Sequence, residues 1–155
     1  MKLHIAIGRV LKIGTILATF GFLSAVLLQI FARFFLESAP SWTEEASRLF
    51  FVYAISFASG LALKSNYFVS LDTFYDKFNS KIKNLLNLLI PICTFLMFII
   101  VLIYTIPLIW LGVGEKSPSL KFPMSFAFLS IAIMSISLCY YSFKQLQSVL
   151  KNRRT

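Results

Sequence analysis

Acidic residues are scarce in this chain: six Asp and Glu stand against fifteen Lys and Arg in 155 residues. Histidine occurs once, as His4, and cysteine twice, as Cys93 and Cys139. The long apolar runs carry no Asp, Glu, Lys, Arg or His, and each of these absences removes a class of function. A haem-bearing membrane cytochrome needs histidine ligands within its helices, whereas His4 lies at the N-terminal edge. A membrane thiol oxidoreductase needs a redox pair such as C-x-x-C, but Cys93 and Cys139 fall in different runs and read as small hydrophobes. Ion paths and proton relays put an acid or base at membrane depth. A self-sufficient proton-coupled pump is therefore excluded, as is a small multidrug exporter built on an embedded glutamate, since the first run offers only Gln29. No catalytic, cofactor-binding or metal-ligating residue is assigned.

What is present points to lipid. Hydrophobic residues make up 58% of the chain, charged residues 14%, and the mean hydropathy is +0.81. Soluble domains average roughly 45–50% apolar and about 25% charged. The net charge of +9 raises a nucleic-acid reading. The distribution rejects it, because the basic residues sit at the ends of apolar runs as membrane anchors and topology signals do.

The expected fold class is all-α, an integral membrane domain of four transmembrane helices over about 13–35, 44–63, 85–113 and 122–143. The uncharged stretch from Ile13 to Ala32 suffices to cross about 30 Å of hydrocarbon at about 1.5 Å per residue. In the second helix the charge-free part, Leu49 to Leu63, is short, so Glu44, Glu45 and Arg48 are expected at the interface. Ser41 and Glu44 have the S-x-x-E spacing of a capping box, with Pro40 before it. The third run, Leu85 to Gly114, exceeds one perpendicular crossing and contains Pro91 and Pro107, which predicts tilt, a kink or an interfacial end. Pro123 is expected in the first turn of the fourth helix.

Eleven of the fifteen Lys and Arg fall on the side of the termini and the loop after helix 2; Arg33, Arg48, Lys116 and Lys121 fall on the other. The positive-inside rule then puts both termini in the cytoplasm. The basic N-terminus reads as a retained signal anchor, because the first apolar run is longer than a cleaved h-region and ends in Arg33 without an A-x-A site. No internal repeat is evident, and one domain covering 1–155 is the simplest organisation.

Candidate contact residues follow from placement. Ala54, Ala58 and Ala62, with Ser56 and Gly60, put small residues on helix 2, where another helix could approach closely, either within this chain or from a partner. Glu44, Glu45 and Arg48 could meet a partner at the outer mouth; locally, Glu44 could cap the helix, the acids complement its dipole, and Glu44 and Arg48 form an i, i+4 pair. Trp42 reads as an interfacial anchor. Arg33 either snorkels or pairs with Glu37, Glu44 or Glu45.

Taken together, Arg33 closing helix 1, then Pro40-Ser41-Trp42-Thr43-Glu44-Glu45 with Arg48, Gly60, Phe68-Val69-Ser70-Leu71-Asp72, Lys116-Ser117-Pro118-Ser119-Leu120, and Pro123-Met124 resemble the small membrane subunit of tripartite ATP-independent periplasmic (TRAP) transporters, the DctQ-like family. The resemblance covers most of the chain. Phe68 departs from it, standing where the family often has histidine; Asp72 matches.

The resemblance implies a small permease subunit of a sodium-driven importer of organic acids in the bacterial inner membrane, and not an enzyme. It implies two protein partners besides membrane lipid: a large polytopic permease subunit carrying the substrate and sodium sites, and a periplasmic solute-binding protein. Nucleic acid is not among the partners, and no cofactor is implied. The candidate partner-interface residues are Arg33, Trp42, Glu44, Glu45, Arg48, Gly60, Asp72, Lys116 and Pro118. In this reading the four helices buttress the large subunit, and the outer loops help dock the binding protein. Two other classes stay open: a four-helix accessory or assembly subunit of another membrane complex, and a membrane enzyme, which would need a cofactor site or a nucleophile with an adjacent base.

Overall fold

The computed structural model describes residues 2–35, 40–65 and 79–152. These form four helices: α1 (Lys2–Phe35), α2 (Ser41–Lys64), α3 (Ser80–Gly114) and α4 (Ser125–Asn152). All four are long and apolar enough to cross a membrane, and no strand accompanies them among the described residues. Asp72 and its neighbours Phe68 to Leu71 lie outside the described residues, as does Glu37.

The helices reach beyond the boundaries expected from charge. α1 begins at Lys2 rather than near Ile13, and α4 continues to Asn152 rather than ending near Phe143. Arg9, Lys12 and Lys144 are good helix formers, and between Lys2 and Ile13 there is no proline, Gly8 being the one poor helix former in that stretch, which α1 absorbs. Their charges mark where hydrocarbon ends and not where the helix does. At 34 and 35 residues, α1 and α3 are each roughly 50 Å long at about 1.5 Å per residue, well over the hydrocarbon thickness. α3 runs unbroken through Pro91 and Pro107.

Two local expectations are corrected. The capping box does not form: Pro40 is the N-cap, with no side-chain capping bond, and Glu44 reaches forward to Arg48 instead of back. Thr43 bonds back to the Pro40 carbonyl twice, through Oγ1 at 2.7 Å and its amide at 3.2 Å. Pro123 stands just before α4, in a bridge with Lys116, not in the helix's first turn.

α1 and α2 form one antiparallel pair and α3 and α4 another, joined where α2 packs on α4. Leu11, Ala18, Ala25 and Ala32, seven residues apart, are the buried line of α1. Beside it, Gly14 and Gly21 make two notches. A Cβ on Gly14 would lie 2.9 Å from the Phe57 ring, and one on Gly21 2.8 Å from the Phe50 ring. Phe50 and Phe57 are also seven apart, so each phenyl seats over one glycine and fixes the α1–α2 register by close packing rather than by polarity.

α4 contributes serines. Ser130, Ser135 and Ser137 are buried, and each hydroxyl donates to a carbonyl three or four residues back, at 2.6, 2.8 and 2.9 Å. Satisfied locally, they expose no unmet donor and keep the helix surface thin. Gly60 of α2 abuts this surface: its absent Cβ would lie 2.7 Å from Ser137 Cβ and 3.1 Å from Leu11 of α1. Of the small residues expected to let a helix approach α2, Ser56 and Gly60 are buried, whereas Ala54, Ala58 and Ala62 are only half-buried.

Candidate functional site

The end of the bundle bearing Phe35, Ser41, Gly114 and Ser125 carries most of the residues singled out in sequence. α3 and α4 are joined there by a short hairpin. Ser117 donates its amide to the Phe122 carbonyl at 2.9 Å, Met124 donates to Glu115 at 2.9 Å, and Lys116 bridges antiparallel to Pro123. The tip, Pro118 to Lys121, closes with the Lys121 amide on the Ser117 carbonyl at 3.0 Å. Lys121 adopts φ 56°, a left-handed conformation that costs a non-glycine residue roughly 1–2 kcal/mol.

Glu45 holds this hairpin to α2. Its Oε2 accepts hydrogen bonds from the Ser117 hydroxyl, from the Ser119 amide at 3.1 Å and from the Leu120 amide at 2.7 Å. Three donors converge on one carboxylate oxygen, and the two amides, Ser119 and Leu120, are the ones that the tip's own backbone bonds leave over. An ionised carboxylate is an acceptor only and forms strong bonds to such donors. Ser117, at the centre of the clasp, is 4% exposed.

Sequence reasoning singled out Glu45 and the Lys116-Ser117-Pro118-Ser119-Leu120 segment separately. The structure shows them to be the two halves of one contact. The only sequence signal for it is that both motifs occur together, one opening α2 and the other preceding α4.

Other candidates are placed differently. Glu44 and Arg48 form the expected i, i+4 ion pair, exposed on α2. Arg33 is exposed at the end of α1 and is not paired with Glu44 or Glu45, one engaged by Arg48 and the other by the hairpin. Trp42, Lys116 and Pro118 are exposed around the clasp. Gly60 is buried in this chain's own packing, against Ser137 and Leu11.

The family model described as "Tripartite ATP-independent periplasmic transporters, DctQ component" matches residues 22–152. The chain belongs to the DctQ family. A Haemophilus influenzae protein named as a TRAP transporter small permease protein is 26% identical over 152 residues, spanning 98% of this chain and 90% of that protein. This DctQ-family chain is thus a multi-pass membrane component of a transporter, and the matched region includes both halves of the clasp.

The clasp predicts a local phenotype. In Glu45→Ala, the amides of Ser119 and Leu120 lose their acceptor, and hydrogen exchange across 115–124 should accelerate while α1 and the middle of α3 keep their protection. Glu45→Gln retains one acceptor oxygen and should fall between. Wild-type exchange at the tip of the alanine variant would show that the carboxylate does not hold the hairpin.

Proposed function

We propose that this chain is the small permease subunit of a sodium-driven importer of organic acids, packing against a large polytopic subunit and stabilising it in the membrane. In this assignment it lies in the bacterial inner membrane with both termini cytoplasmic, and the hairpin end faces a periplasmic solute-binding protein. Family membership supplies the transporter. The observation that carries the subunit's role is the clasp: Glu45 and Ser117 are consumed in fixing the hairpin, which leaves Trp42, Glu44, Arg48, Lys116 and Pro118 as a rigid exposed rim.

The helices support a buttressing part. The middles of all four spans hold no Asp, Glu, Lys, Arg or His, so the spans supply no charge at mid-membrane depth to bind an anion or its coupling ion. α3 is the barest helix. Tyr104 and Trp110 are 72% and 82% exposed, an apolar surface open to lipid or to a larger subunit.

Mild-detergent purification of tagged chain from native membranes is expected to recover a much larger polytopic permease, with sodium-dependent organic-acid uptake lost when this subunit is deleted. Recovery of the chain alone, or with an unrelated complex, would overturn the assignment. Within an assembled complex, Trp42→Ala combined with Arg48→Ala should lower uptake while co-purification of the large subunit persists. Unchanged uptake and assembly together would remove the rim from the docking role.

A further inference from the structure

The opposite end of the bundle, where α1 starts and α2 and α4 finish, holds a polar cluster that the assembly role does not use. Gly8 of α1 opens a notch there. The position its Cβ would take lies 2.9 Å from Lys64 Nζ and 3.5 Å from the Tyr141 hydroxyl. Tyr141 is 3% exposed, and its hydroxyl is buried without a hydrogen-bond partner. His4 Nδ1 is buried and equally unpartnered, its ring edge-on to Tyr141 at 5.5 Å. Unmet buried polar atoms are costly and are ordinarily satisfied by a water or a ligand.

The chemistry of the three groups selects the ligand. An ammonium has donors only, and a phenol and a protonated imidazole nitrogen donate readily to an oxyanion. The described acids, Glu44, Glu45 and Glu115, all stand at the other end. Depth narrows the source. Lys64 closes the uncharged stretch of α2, and Tyr141 lies three residues before Lys144, the first cation of α4. Both therefore sit where hydrocarbon gives way to headgroups.

We propose that this notch binds the phosphate of a phospholipid headgroup, with Lys64 and Tyr141 donating to its oxygens and His4 closing the side. Gly8 is the residue that admits the ammonium: any side chain at that position would meet Lys64 Nζ and push it away from the Tyr141 hydroxyl.

The test is native mass spectrometry of the purified full-length chain, titrated with short-chain phosphatidylglycerol, with diacylglycerol of the same chain length, and with inorganic phosphate. The expected result is saturable binding of the phospholipid, none of diacylglycerol, and affinity about tenfold or more weaker in Lys64→Gln and in Tyr141→Phe, as expected for loss of a charge-assisted bond. Tyr141→Phe removes one oxygen and no packing, so it remains informative if Lys64→Gln fails to fold. Inorganic phosphate that binds as well and displaces the lipid would assign the notch to a soluble anion and overturn the lipid assignment. Phospholipid binding unchanged in both variants would overturn the site itself.

Discussion

Gly112→Ala is expected to destabilise the protein by about 1–3 kcal/mol, the range for overpacking a close contact, whereas Gly114→Ala, two residues later, is expected to be neutral or slightly stabilising. The contrast is geometric. A Cβ on Gly112 would lie 2.7 Å from the Ser125 backbone nitrogen and 2.7 Å from the Phe128 ring, while a Cβ on Gly114 meets nothing within 4 Å. Neither glycine has positive φ, so conformational freedom is not the reason for either. Alanine gains up to about 1 kcal/mol of helix propensity over glycine, which at Gly112 does not offset a clash with backbone. The Phe128 ring can rotate, but Ser125 cannot retreat without lifting the start of α4 and with it the hairpin that Glu45 grips. Thermal unfolding in detergent, followed by size-exclusion fluorescence, gives the comparison. Equal midpoints for Gly112→Ala and wild type would mean that the α3–α4 junction yields more easily than its contacts imply.

The second large effect is expected at Gly60, where α1, α2 and α4 meet. Its Cβ would lie 2.7 Å from both Ser137 Cβ and Oγ. These atoms are fixed to the α4 backbone, so Gly60→Ala should cost about 1–3 kcal/mol by separating the helices. Ser137→Gly removes both opposing atoms at a helix-propensity cost of about 0.5–1 kcal/mol. The alanine should then be tolerated in that background, because the remaining neighbour, Leu11 Cδ1 at 3.1 Å, is the end of a flexible side chain. A double-mutant cycle would show strong positive coupling between the two substitutions. Additive effects would mean that α2 and α4 are not held apart by this pair.

The four spans were legible because lipid imposes one simple demand, a continuous uncharged run. Helix ends were not, since the charges of Arg9 and Lys12 suggest that α1 starts after them, and both are residues of the helix itself. The Ser41–Glu44 pattern fitted two local structures at once, and the forward pair with Arg48 won. Glu45 was legible as important and illegible in its role, because its partners stand more than seventy positions away, beyond any periodicity or local spacing. The α1 seam was missed for another reason. Gly14 and Gly21 look unremarkable until Phe50 and Phe57 are seen to share their interval, and only the antiparallel pairing brings the two intervals together.

The clasp also sets an order of events during synthesis. Ser117 is made 72 residues after Glu45, roughly 4–14 s later at about 5–20 residues per second. Through that interval α2 has its glutamate in place with nothing to hold, and α3 must be made before the hairpin exists. The contact can close only when the segment leading into α4 has emerged. A nascent chain halted after α3 should therefore have α1 and α2 paired and its Glu45 uncovered, so the union of the two helix pairs is a late event of biogenesis.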